Sequence, residues 1–229
     1  MPAALGRYAR RVHRCAGDGH HVVSPLGAWL LLALCDPLDP GAGPDGLRDA
    51  LGMEPGEAFE AAGALLADPH PLVALAAAVW ARPQVETAAW RRWQAALPGA
   101  VGRGDIPSQK GLDSWAREHT LGLVGGFPLR LTPEVVAVLA TAVATRVSWE
   151  KPFDVVDASE LGPDSRWTRA LRRVLRSPIG DPRHPQYLCE TPGAGLVAVH
   201  VADARGGMVV GSVIAADPAV PPGAVLAAA

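Results

Sequence analysis

This 229-residue sequence predicts an α+β fold in which buried helices pack on β-structure, and three stretches carry that expectation. Glu134 to Asp154 reads EVVAVLATAVATRVSWEKPFD. Its run of Val, Ala and Leu between Pro133 and Pro152 is too continuous for a half-wet surface strand and reads as a strand covered on both faces. Pro25 to Leu34 is a helix apolar nearly all round, which must therefore be buried. Gly195 to Ala202 and Gly207 to Ala216, separated by Asp203-Ala204-Arg205-Gly206, read as a β-hairpin.

Composition narrows the class. With 49% hydrophobic and 19% charged residues the chain can bury a core, and one domain spanning 1–229 is the default, two small ones the alternative. A formal charge of -2 lacks the basic footprint of a nucleic-acid binder. No apolar run reaches membrane-spanning length, since Trp29 to Cys35 is broken by Asp36-Pro37. Arg7, Arg10, Arg11 and Arg14 precede no apolar signal core, so a cytoplasmic location is expected. Cys15, Cys35 and Cys189 cannot all pair and read as free thiols.

In chain order, Arg7 to Cys15 reads as a short amphipathic helix and Gly17-Asp18-Gly19 as a turn. Ser24 accepts an amide hydrogen bond as N-cap of the buried helix, and Pro25 suits its first position because its missing N–H would be unpaired there. Asp36 to Pro44 is a loop. Asp45 then caps a short helix, Gly46 to Leu51, stopped by Gly52. Gly56 to Ala67 is a small-residue helix, and Leu72 to Arg82 a short buried run. Glu86 to Leu97 places Trp90, Trp93 and Leu97 on one helix face. Ala100-Val101 begin an edge strand; the Arg103-Gly104-Asp105 within it spells an integrin tripeptide by chance. A helix near Gly111 to Leu121 precedes the organising strand. Arg166 to Arg176, with Trp167, Leu171, Val174 and Leu175 at helical spacing, predicts a basic amphipathic helix, read as a solvated arginine face over a buried stripe rather than a polyanion site. Asp181 to Pro185 is loop.

Several of these stretches together resemble the serpins. Trp149, Pro152 and Phe153 match the W-x-x-P-F that closes the third strand of that family's main sheet. Ser24 and Pro25 match the F-S-P that opens its central helix, and Leu47-Arg48-Asp49-Ala50-Leu51-Gly52 its L-x-x-A-L-G. Trp115, Thr120, Gly122 and Leu123 match the W-x-x-x-x-T-x-G-x-I of the helix lying across the sheet. Family polar residues are replaced at His20, Gly27, Asp113 and Thr141, and a family glycine by Val147. The resemblance implies a partial serpin-like fold, buried helices on a mixed main β-sheet plus a second smaller sheet. Residues 1–154 match better than 155–229, and the hairpin corresponds either to the mid-chain hairpin of the second sheet or to the terminal one.

What the resemblance implies for function is inhibition of serine proteases by a bait loop that inserts into the main sheet after cleavage. No stretch of the present sequence reads as that loop, so a serine protease is an expected partner only if a reactive loop is supplied. The expected alternative is a non-inhibitory scaffold that self-associates or is completed by another chain along an edge strand bearing Val136, Val138, Ala140, Ala142 and Ala144. Extracellular location is the family alternative.

Enzyme motifs are weak. Ser148-Trp149-Glu150-Lys151 fits S-x-x-K, but no S-D-N or K-T-G follows and the Ser sits at a strand end. There is no G-x-S-x-G elbow and no glycine-rich phosphate loop. His13, His20, His21, His70, His119, His184 and His200 with three Cys include no tight ligand spacing, so no catalytic residue, metal or cofactor is expected.

Overall fold

A computed structural model describes residues 1–15, 22–35, 44–85 and 87–228. It falls into two compact units, Met1–Arg146 and Val147–Ala229, which are described separately. The turn at Gly17-Asp18-Gly19, the pair His20-His21 and all of the loop expected at Asp36 to Pro44 except Pro44 lie outside the described residues, as does the side chain of Asp45.

The first unit is organised by a mixed three-stranded sheet of order β2-β1-β3. β1 (Val73–Ala81) runs parallel to β2 (Val101–Asp105) and antiparallel to β3 (Ala137–Thr145), with Val73 opposite Thr145 and Ala81 opposite Ala137. Alternate residues of a strand point to opposite faces. Ala77, Val79 and Ala81 therefore join Leu139 and Ala137 on one face, while Ala78 and Trp80 join Ala140 and Val138 on the other. Both faces are covered, as the continuous apolar runs demand.

The larger core fills the first face. α2 (Pro25–Cys35) supplies Trp29, Leu30, Ala33 and Leu34, and α4 (Pro55–Ala67) supplies Ala58, Ala62 and Leu66. Behind them stand Leu51 of α3 (Pro44–Leu51) and Trp90 and Trp93 of α5 (Ala88–Ala96). A buried indole N–H needs an acceptor. Trp29 donates to the Leu51 carbonyl (3.1 Å) and Trp93 to the Leu34 carbonyl (2.8 Å), which ties α2 to the end of α3 and α5 to the end of α2. Ser24 caps α2 as expected, its Oγ accepting from Gly27 N–H, and Thr87, not singled out in the sequence, caps α5 by accepting from Trp90 N–H at Oγ1. α1 (Pro2–Cys15) starts earlier than predicted and is strapped to α3 by Arg7 donating to the Gly52 carbonyl and Arg11 to Asp49. α6 (Gln109–His119) covers the second face through Leu112 and Trp115.

The two edges of this sheet differ. On β2, Arg103 donates to the carbonyls of Leu97 (2.6 Å) and Pro98 (2.9 Å), so the guanidinium of Arg103-Gly104-Asp105 caps the end of α5 and is not offered to a partner.

The second unit has a two-stranded sheet, β4 (Asp154–Asp157) with β5 (Arg173–Arg176), and an antiparallel sheet of order β6-β7-β8. The predicted hairpin is β7 (Gly195–Ala204) and β8 (Met208–Ala215); its turn holds Gly206 and Gly207 at φ of 82° and 81°, where residues with a Cβ are strained. β6 (Gln186–Thr191), unforeseen in the sequence, pairs with β7, and α8 (Pro222–Ala228) follows. The expected helix from Arg166 to Arg176 is corrected. Only Arg166–Ala170 is helical (α7), and Leu171 is extended. Residues 173–176 instead pair with β4, setting Asp157 opposite Arg173, Asp154 opposite Arg176 and Val156 opposite Val174. Opposite-charge and β-branched cross-strand pairs favour the strand, and Arg176 is further held by Glu160 (2.8 Å).

Trp93→Ala should cost about 3–5 kcal/mol in urea unfolding, because it leaves a cavity and removes the Leu34 carbonyl's donor. Arg92→Ala, on the exposed side of the same helix, should change stability by no more than about 0.5 kcal/mol.

Candidate functional site

The free edge of β3 is the feature with functional geometry. Arg82 N–H donates to the Val136 carbonyl (2.8 Å), and the register places these residues opposite each other. In an antiparallel ladder such hydrogen-bonded pairs recur every second residue. The backbone groups of Val136, Val138, Ala140, Ala142 and Ala144 therefore face β1, and the side chains of the last four are buried. It is the alternate set, Ala137, Leu139, Thr141 and Val143, that turns its N–H and C=O outward. The edge strand lies where the sequence places it, but the residues named there are those facing the sheet.

That edge opens onto a cavity of about 540 Å³. Its floor is α2, through Ser24, Gly27, Ala28 and Leu31, and its roof is α6 with the loop after it, through Trp115, Ala116, Phe127 and Leu129. Leu139 to Val143 form its wall, and among the described residues lining it none is charged. Five strand residues extend about 17 Å. The cavity therefore runs along the outer edge of β3, between the elements that already cover that strand.

Two departures from the serpin pattern meet here. Thr141 Oγ1 donates to the Gly27 carbonyl (3.0 Å), joining β3 to α2. A Cβ on Gly27 would stand 2.9 Å from that oxygen and 3.3 Å from Ser24 Oγ, so the absence of a side chain at 27 is what lets Thr141 reach the helix.

The roof is fixed by side chains at the start of α6. Asp113 Oδ1 accepts from Phe127 N–H (2.9 Å) and from Gln109 Nε2 (3.1 Å). Gln109 also donates to the Leu129 carbonyl and accepts from Leu131 N–H, and Arg117 donates to the Gly125 carbonyl. The Phe127 amide, then Gln109, then the Arg117 charge hold the Asp113 carboxyl below its ordinary range.

The matched helix motif has a physical basis. Buried Thr120 donates to the Ala116 carbonyl (2.7 Å) and accepts from Val124 N–H (3.0 Å). Leu121 and Gly122 both have positive φ, and Gly122 N–H donates back to the Arg117 carbonyl, closing the helix in a Schellman-type turn. Trp115 packs edge-on to Trp80, ring centres 5.2 Å apart.

In the second unit, Trp149 bridges to Ala204 of β7 and packs edge-on to Phe153 (5.1 Å), while Pro152 is exposed between them. Phe153 lies against His184 (4.8 Å) and His200 (5.7 Å). Sequence spacing gave no hint of this His184–His200 pair, because a loop and a strand bring the two rings together. Ser148 is exposed and opens no helix, so the S-x-x-K pattern lacks its structural setting. Among the described residues no three His, Cys, Asp or Glu side chains cluster as a metal site, and no helix is long and apolar enough to cross a membrane.

The first unit is thus a helix-covered mixed sheet ending in an unpaired strand beside a roofed cavity. Comparison with solved structures identifies the fold as that of the serpins. Human thyroxine-binding globulin complexed with its hormone superposes with a TM-score of 0.74 at 15% identity, over 99% of this chain and 64% of that one. Serpin48 of the insect Tenebrio molitor gives 0.69 at 16% identity, over 94% and 63%. Emu ovalbumin gives 0.65 at 13%, over 95% and 64%. The chain thus spans a little under two thirds of each of these three. No family model and no curated protein matches its sequence.

Gly27→Ala should destabilise the first unit by about 1–3 kcal/mol through overpacking. In a double-mutant cycle with Thr141→Ala its cost should shrink, since the oxygen it meets is gone; strictly additive effects would place the clash elsewhere.

Proposed function

We propose that this chain is a strand-accepting framework of the serpin type, akin by fold to inhibitors of serine-type endopeptidases, and that it does not trap a protease by itself. The observation that carries this reading is the outward row of N–H and C=O groups on β3, set in a strand-sized slot. Unpaired edges with apolar surroundings are templates for another strand. A segment laid along β3 takes hydrogen bonds from Ala137, Leu139, Thr141 and Val143 and buries small uncharged side chains between α2 and α6. The uncharged lining favours such a segment, because a charge buried there would have no partner. A serine protease enters as partner only where a reactive loop is supplied. The second reading, a non-inhibitory module that pairs through the same strand with a copy of itself or another chain, draws on the same edge.

Two measurements test this. Incubation with trypsin-, chymotrypsin- and subtilisin-like proteases, followed by denaturing electrophoresis, should give degradation or no change; a stable band of higher mass overturns the non-inhibitory part. A ten-residue peptide of alternating Ala, Val and Thr should bind with one-to-one stoichiometry in native mass spectrometry. The same peptide with proline at every second position should not bind, because it lacks the amides that would pair with β3. A strictly monomeric chain that binds neither peptide overturns the strand-acceptor reading.

A further inference from the structure

Within residues 147–229, His184 and His200 form a hydrogen-bonded pair with Nδ1 of the first 3.2 Å from Nε2 of the second. His184, in the loop before β6, is 3% exposed, and His200 lies in the middle of β7. The protonation pattern follows from their partners. His184 Nε2 stands 2.7 Å from the Lys151 carbonyl oxygen, which can only accept, so that nitrogen carries a hydrogen. In the neutral ring Nδ1 is then bare, and the hydrogen between the rings belongs to His200 Nε2. Ser177 Oγ lies 3.0 Å from the same Nε2, so the hydroxyl flanks the shared hydrogen. Because Ser177 and His184 meet His200 at one nitrogen, the His200 ring is not oriented from its other side as the base of a nucleophilic triad is.

This arrangement accepts one added proton and rejects a second. With one, His184 carries hydrogens on both nitrogens, donates to Lys151 and to His200, and His200 moves its own hydrogen to Nδ1. With two, both facing nitrogens carry hydrogens and two positive rings stand in contact. We propose that the His184–His200 pair is an acid-released clasp: it fastens the loop before β6 and the Ser148–Phe153 turn to β7, and lets go when both rings become charged.

Among the described residues neither ring has a carboxylate as hydrogen-bond partner; their partners are each other, Ser177 and the Lys151 carbonyl. On the turn, Glu150 and Lys151 are the ionisable residues. On the loop, Asp181 and Arg183 flank His184 but bind each other at 2.9 and 3.0 Å, and the Arg183 guanidinium holds the Asp181 carboxyl at about 2. Arg176, beside Ser177, is taken by Asp154 and Glu160. β7 offers Asp203, β6 offers Tyr187, Cys189 and Glu190, and β8 carries no ionisable side chain. Phe153 packs on both rings, and burial together with the His184 charge pushes the His200 pKa down. The folded state therefore binds fewer protons than the unfolded chain below about pH 6.5, so the clasp's contribution is present above that pH and lost as pH falls.

Histidine-ring NMR titration of the intact chain, with resonances assigned through His184→Gln and His200→Gln, tests the clasp. The two rings should titrate as a coupled pair, the second proton entering at lower pH than the first. The urea midpoint should fall between pH 8 and pH 5, and by less in His200→Gln. Independent titration of both rings near 6.5, or an undiminished fall in the variant, overturns the proposal. If a variant does not fold, the shape of the wild-type titration decides: two coupled steps support the clasp and simple independent curves overturn it.

Discussion

Residues 1–146 depend on one constraint: β1 has apolar side chains on both faces, so the sheet must be covered from both sides. Its nine residues VALAAAVWA leave no face for water, and five alanines allow helices to approach closely. α2, α4 and α5 satisfy one side and α6 the other. β3 inherits the same two covers because it is paired residue by residue with β1. The slot beyond β3 is a by-product of that geometry. Helices wide enough to shield β3 overhang its edge, and the overhang is what separates this edge from an ordinary exposed one.

The polar chemistry of the first unit is local and serves the covers. Thr141 reaching Gly27, and Asp113 with Gln109 holding the loop at 125–131, each replace a water contact by a hydrogen bond between packed elements. Such bonds add little net stability apiece, but they fix relative positions, since a buried donor left unpaired is costly.

Much of this was legible in the sequence where local chemistry decided. Ser24-Pro25 announced α2, Trp90, Trp93 and Leu97 announced the inward face of α5, and the continuous apolar run announced β1. The reading failed where a distant partner decided. RVLR has helical spacing with Trp167 and Leu171, yet DVVD offers it charge-matched strand pairing. β6, the sequence QYLCET, is mostly exposed and carries no burial pattern to find. The outward residues of β3 were invisible because side-chain periodicity tells which face a residue occupies, not which way its amide points. The His184–His200 contact required a loop to deliver one ring beside a strand.

The two edges of the main sheet are unlike, and that difference has a consequence for pairing. β2 ends the sheet with Gly102, a strapped Arg103, Gly104 and Asp105, a composition that gives an incoming strand little to pack on. Among the described residues the opposite end, along β3, is unpaired and lies beside the cavity between α2 and α6. On the strand-acceptor proposal, pairing can therefore enter this sheet from one border and not from both.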